Sequence, residues 1–198
     1  MTKHVAVKRR RWLWPGLMGV VVAGCVAPGV NGAKTASAGG VSIAGPPGFC
    51  VLDQSRVWLD EAEFAALLPC ESGLSFAAPQ AMLTVTVDAK GSATDIDLTR
   101  EALAAYFNGP EGRAALSRAG KAKTVNVQEV RETSGAVVVR MTDSSARWPG
   151  LGWRAVTAVR GRLVTLTVRG NGTKDLTLAT GRRLINRFVA AMAGANRA

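Results

Sequence analysis

The chain has 198 residues, of which 47% are hydrophobic and 20% charged, and a formal net charge of +11. This is a globular composition. It excludes a disordered or collagen-like chain, and the length suits one domain or at most two small ones.

Residues Met1 to Arg11 carry Lys3, Lys8, Arg9, Arg10 and Arg11 with no acid, and Trp12 to Gly24 carry no charge at all. A basic head followed by about a dozen apolar residues is the layout of a secretory signal. A permanent span needs about 20 such residues, and Pro15 and Gly16 weaken a stable helix further.

The apolar core ends at Val22-Ala23-Gly24-Cys25: aliphatic, small, glycine, cysteine. This resembles the lipobox of bacterial lipoprotein signals at all four positions. The resemblance implies a signal peptide over residues 1–24, a diacylglyceryl group on the Cys25 sulfur, and cleavage that leaves Cys25 first. It implies a lipid-anchored cell-envelope protein. Val26 stands where inner-membrane lipoproteins of enteric bacteria often carry Asp, so the same likeness favours the outer membrane, facing the periplasm. Two other readings stay open. One is an ordinary signal cut at Ala36-Ser37-Ala38, well past the apolar core; the other is an uncleaved anchor.

With Cys25 assigned, Cys50 and Cys70 remain as an even pair. In an oxidising compartment two such thiols on a small domain usually bridge. A metal site is the poorer reading, because the only histidine, His4, lies in the signal.

Charge is uneven after Cys25. Residues 26–130 hold 8 basic and 11 acidic side chains, whereas residues 131–198 hold 12 basic and 3 acidic. A basic half tethered at a membrane is drawn to anionic lipid head groups or an acidic envelope polymer, or docks on a protein partner. A solvated basic surface that serves solubility only is the simpler reading, and the preferred one. Nucleic acid is not an expected partner of an exported chain.

Residues 25–40 are rich in Gly, Ala, Ser and Thr, without apolar period, and read as a flexible tether. A single globular domain is expected over residues 41–198. Val41–Ile43 and Phe49–Leu52 read as short strands around the Gly45-Pro46-Pro47-Gly48 turn. Asp60, with Glu63 three residues on, predicts the capping box of a helix over residues 61–68, stopped by Pro69. Trp58 and Phe64 are expected in the core. Leu83 to Asp88 alternates as a half-buried strand does. Thr99 predicts the cap of a helix through Phe107, with Glu101 in its first turn. Asn108-Gly109 ends that helix, and Pro110 opens a second one to about Arg118.

Four strands are expected over residues 124–130, 136–141, 153–160 and 162–169, the last two joined by a tight turn at Gly161. Val164, Leu166 and Val168 share one face of the last strand, with Thr165 and Thr167 opposite. Leu184, Ile185, Phe188, Val189 and Met192 predict an amphipathic helix over residues 180–193. The fold class is therefore α+β, a mainly antiparallel sheet of about six strands covered by helices. This order resembles the PsbP-like fold, through the Pro-Pro-Gly-Phe segment at residues 46–49 and a final Gly-Arg-Leu-Val-Thr-Leu-Thr-Val strand before an amphipathic helix. The likeness implies a binding or accessory role and carries over no catalytic residue.

No histidine follows Cys25, so a Ser-His-Asp triad, a Cys-His dyad and histidine-bound metal are excluded, and no cofactor motif is present. Asp95 and Asp97 would face one way on a strand, and a carboxylate-based envelope glycan hydrolase is the enzymatic alternative. Two tryptophans and two arginines, Arg147, Trp148, Trp153 and Arg154, surround a Pro/Gly-rich loop. They read either as binding anchors or as tryptophans that cap the core. The expected function is non-enzymatic, an accessory, binding or scaffold role at the membrane surface; membership of a larger membrane complex is a further alternative.

Overall fold

The computed structural model describes residues 35–52, 55–59, 61–70, 81–147, 149–172 and 176–197. The expected signal peptide and Cys25 lie outside the described residues. So does residue 60, the expected helix cap.

Two short strands, β1 (Thr35–Ala38) and β2 (Val41–Ala44), pair antiparallel through Gly39-Gly40. The expected tether therefore gives way to folded structure by Thr35, six residues before Val41. Its Ala38 is fully buried together with Val41 and Ile43. Ala38, which looks like spacer in sequence, is small enough to pack closely here, while Thr35 and Ser37 stay exposed.

The main sheet is built from β3 (Phe49–Val51), β4 (Val57–Leu59), β5 (Ala62–Pro69), β6 (Ala81–Val87), β7 (Val125–Thr133), β8 (Ala136–Asp143), β9 (Leu151–Val159) and β10 (Arg162–Gly170). Its order is β3-β5-β6-β10-β9-β8-β7, with β4 also on β5, and every pairing is antiparallel. The sheet is wider than the six strands expected.

Part of that difference is β5, expected as a helix. Ala, Glu and Leu favour helix locally, but eight residues carry only a weak preference that packing overrides. Here β5 lies between β6 on one side and β3 and β4 on the other. Glu63, Ala65 and Leu67 are buried toward one face, and Phe64, Ala66 and Leu68 alternate toward the other. Pro69 sits at the end of the strand, where its missing N–H costs least. Cys50 and Cys70 form the expected disulfide, with an S–S distance of 2.05 Å. It joins two neighbouring strands, β3 and the end of β5, rather than a strand and a helix.

The hairpins β7–β8 and β9–β10 turn through Ser134-Gly135 and Arg160-Gly161, all with positive φ. That geometry matches the right-handed twist of the strands it joins.

Three helices cover the sheet unequally. The long α3 (Leu178–Ala195) is capped by Thr177, which accepts from the Thr180 amide. It lies across one face, burying Leu184, Ile185, Phe188, Val189 and Met192 against Leu83, Val85, Trp153, Ala155, Leu166 and Val168. The approach is close because Gly181 faces Trp153: a Cβ there would stand 2.1 Å from the indole. Glu129 fastens the outer edge of this layer, accepting from Arg140 at 3.1 Å and from Arg182 of α3 at 3.0 Å.

On the other face lie α1 (Arg100–Asn108) and α2 (Pro110–Leu116). Thr99 caps α1 as expected, accepting from the Ala102 amide. Gly109 ends α1 and starts α2, and Gly112 lets the two pack tightly, since a Cβ there would meet the Tyr106 carbonyl oxygen at 2.1 Å. Together they bury Leu103, Phe107 and Leu116 on Val125, Val137, Val139, Met141 and Val156. These partners belong to β7, β8 and β9, with Leu163 at the start of β10 packed at the edge; no helix among the described residues covers the rest of that face over β10, β6 and β5.

A candidate anion-binding groove

The open half of that face forms a groove enclosing about 510 Å³. Its floor is the outward set of three strands: Phe64 from β5, Met82 and Thr84 from β6, and Thr167 and Arg169 from β10. One wall is Leu116, Arg118, Ala146 and Arg147, and Arg154 of β9 reaches in from the side. A second recess of about 530 Å³ continues beneath α1, lined by Asp95, Ile96, Asp97, Leu103, Tyr106, Phe107, Leu163 and Thr165 among others. Arg154 borders both.

Strand alternation explains why arginine and tryptophan end up so far apart in environment. Trp153 is 1% exposed and fills the core beneath α3. Arg154 necessarily points to the opposite face. Its Nη1 donates to the Ala115 carbonyl of α2 at 2.9 Å. Its Nε is buried and finds no acceptor among the described residues. Burial, then repulsion from Arg169, lower its pKa to about 10 against a partial offset from Asp143. Burial likewise lowers the Arg169 pKa. The register places Arg154 opposite Thr167, so Arg169 is its diagonal neighbour on the groove face.

The nearby carboxylate is already committed. Asp143 is buried and accepts from the Arg118 amide at 2.7 Å, the Ser145 amide at 2.9 Å and the Ser145 hydroxyl at 2.6 Å. Burial raises its pKa, but these hydrogen bonds outweigh it and bring the value to about 2. Arg169 approaches Asp143 only to 3.9 Å. The groove is therefore an apolar floor with excess guanidinium, suited to holding an oxyanion.

Of the four residues expected around the Pro/Gly loop, Arg147 and Arg154 line this groove, Trp153 is core, and Trp148 lies outside the described residues. Phe64 belongs to the groove floor rather than the core. Asp95 and Asp97 are exposed, the first in a turn and the second in the irregular segment that leads to α1, not on a strand. Asp97 accepts from the Thr99 amide at 2.9 Å, and that hydrogen bond lowers its pKa, the opposite of what a catalytic acid needs. Among the described residues no group of three or more His, Cys, Asp or Glu could hold a metal ion. No helix among them is long and apolar enough to cross a membrane. Sequence reading missed Arg118 and Arg169. The visible signal was Arg169 breaking the Thr165, Thr167 series, but its meaning depends on the β9–β10 register.

No family model matches the chain, and no curated protein matches it. Among solved structures, a point mutant of Protein Mog1 aligns at 12% identity with a TM-score of 0.48, covering 82% of this chain and 93% of that one.

Proposed function

We propose that the protein is an exported lipoprotein, held in the cell envelope through a diacylglyceryl group on Cys25, whose domain binds rather than catalyses. One observation carries this reading: a cysteine in lipobox order, at the end of a charge-free core, behind a basic head. The Cys50–Cys70 disulfide supports an oxidising compartment. Ala38 is buried in a paired strand, so a cut after it would remove folded structure; that favours position 25 over the later site. The groove supports binding, since it offers hydrogen-bond donors and positive charge. We also assign the domain to the PsbP-like fold, on the order of its elements, and place it at the outer membrane facing the periplasm, on Val26.

Intact mass of the protein extracted from membranes tests the anchor. The expected species starts at Cys25 and carries acyl chains. Cys25→Ala should move the protein out of the membrane fraction. A mature N-terminus elsewhere, or an unmodified Cys25, overturns the proposal.

A further inference from the structure

The geometry points to an anionic amphiphile as the groove's ligand: an oxyanion head held by Arg154 and Arg169, and an apolar chain lying on Phe64 and Met82. This inference rests on the binding role proposed above, and it names the ligand class.

Three observations converge on it. The first is an unmet hydrogen-bonding need. Buried polar groups in folded proteins nearly always have partners, yet the Arg154 Nε has none among the described residues. Its Nη1 is fixed by the Ala115 carbonyl, so the guanidinium is held in place at the groove rather than swinging into solvent. The second is like charge that Asp143 offsets only in part, its carboxylate standing 3.9 Å from the Arg169 guanidinium. Arg154 and Arg169 sit diagonally on one sheet face, and the adjacent Asp143 is occupied by the Arg118 amide and Ser145. An arriving oxyanion would relieve both arginines at once. The third is the floor. A site built for a bare inorganic anion has no use for half-buried Phe64 and Met82, and at about 510 Å³ the groove is far larger than such an ion.

A free single-chain acid and a membrane lipid head group share this chemistry. Binding to the full chain carrying Cys25→Ala is measured by calorimetry with octyl phosphate, inorganic phosphate and 1-octanol. Octyl phosphate should bind about tenfold tighter than either part, and Arg169→Gln should lose about tenfold. Amide resonances of Thr84 and Thr167 should shift on titration. Arg154→Lys, which keeps the charge but not the fork, serves as a second variant, with thermal melts showing that both variants fold. Phosphatidylcholine vesicles with and without phosphatidic acid identify the source. A preference of the Cys25→Ala chain for the acidic vesicles that adding Arg169→Gln abolishes assigns a membrane lipid; octyl phosphate binding without that preference assigns a free amphiphile. Octanol or phosphate binding as tightly as octyl phosphate, a folded Arg169→Gln with unchanged affinity, or no binding of octyl phosphate would each overturn the inference. Because the tested chain lacks Cys25, failure here leaves the anchor proposal standing, and failure of the anchor leaves this result intact.

Discussion

Trp153 and Arg154 are consecutive on β9 and serve opposite faces of one sheet. On the α3 face the helix spans the strands, and Leu83, Val85, Ala155, Leu166 and Ile185 are fully buried. On the other face two short helices cover β7 to β9 and the start of β10, and Arg154 stands at the boundary of the cover. One face is closed by shape complementarity between side chains. The other keeps a cleft and holds charge in it, an arrangement that contributes little to stability and suits recognition. The contrast predicts that substitutions on the first face act on folding, and those on the second act on binding.

The largest effect is expected from Trp153→Ala, which empties the space beneath α3. A loss of about 3–5 kcal/mol is expected in denaturant unfolding; a loss below about 1 kcal/mol would contradict the assignment of Trp153 to the core. Opening the disulfide with the Cys50→Ala, Cys70→Ala pair should cost about 3 kcal/mol, for a sequence separation of 20. It loosens the β3–β5 edge that borders both faces.

Gly181→Ala should cost about 1–3 kcal/mol by forcing the indole aside. In a Trp153→Ala background the same change should become neutral or stabilising, since Ala is the better helix former by about 1 kcal/mol. A double-mutant cycle showing simple additivity would rule out the Trp153–Gly181 contact.

Asp143 supplies the pH dependence on the groove side. Its folded pKa of about 2 lies below the ordinary carboxylate value, so its contribution is full above about pH 4 and is lost as pH falls toward 2. Up to about 2 kcal/mol should disappear across that window, and Asp143→Asn should flatten the acid limb of a stability-against-pH curve.

The smallest stability change is expected for Arg154→Met. It gives up the bond to Ala115 and removes the cost of a buried guanidinium, and the two nearly offset, to within about 1 kcal/mol. Anion binding should be lost all the same. A large destabilisation would mean that Arg154 is there to clamp α2.

Much of the fold is legible from local chemistry. Thr99 and Pro110 mark the two short helices, the Val164-Leu166-Val168 alternation marks β10, and the Leu184 to Met192 spacing marks α3. The segment Ala62–Pro69 is not legible, because a short apolar run with Ala and Leu fits a helix or a strand, and its neighbours β3, β4 and β6 decide. The strand at Thr35–Ala38 is hidden for a related reason: four small residues have no detectable period until Val41–Ala44 pairs with them.

The groove follows the same division. That Trp153 and Arg154 face opposite ways, and that the C-terminal half is rich in arginine, is written in the chain, since alternation and charge are properties of adjacent residues. Which face is buried, that Arg169 lies beside Arg154, and that Asp143 is already engaged are decided only when strands distant in sequence come into register and the helices cover part of the sheet. Register and coverage are long-range choices, settled by the packing of the whole domain.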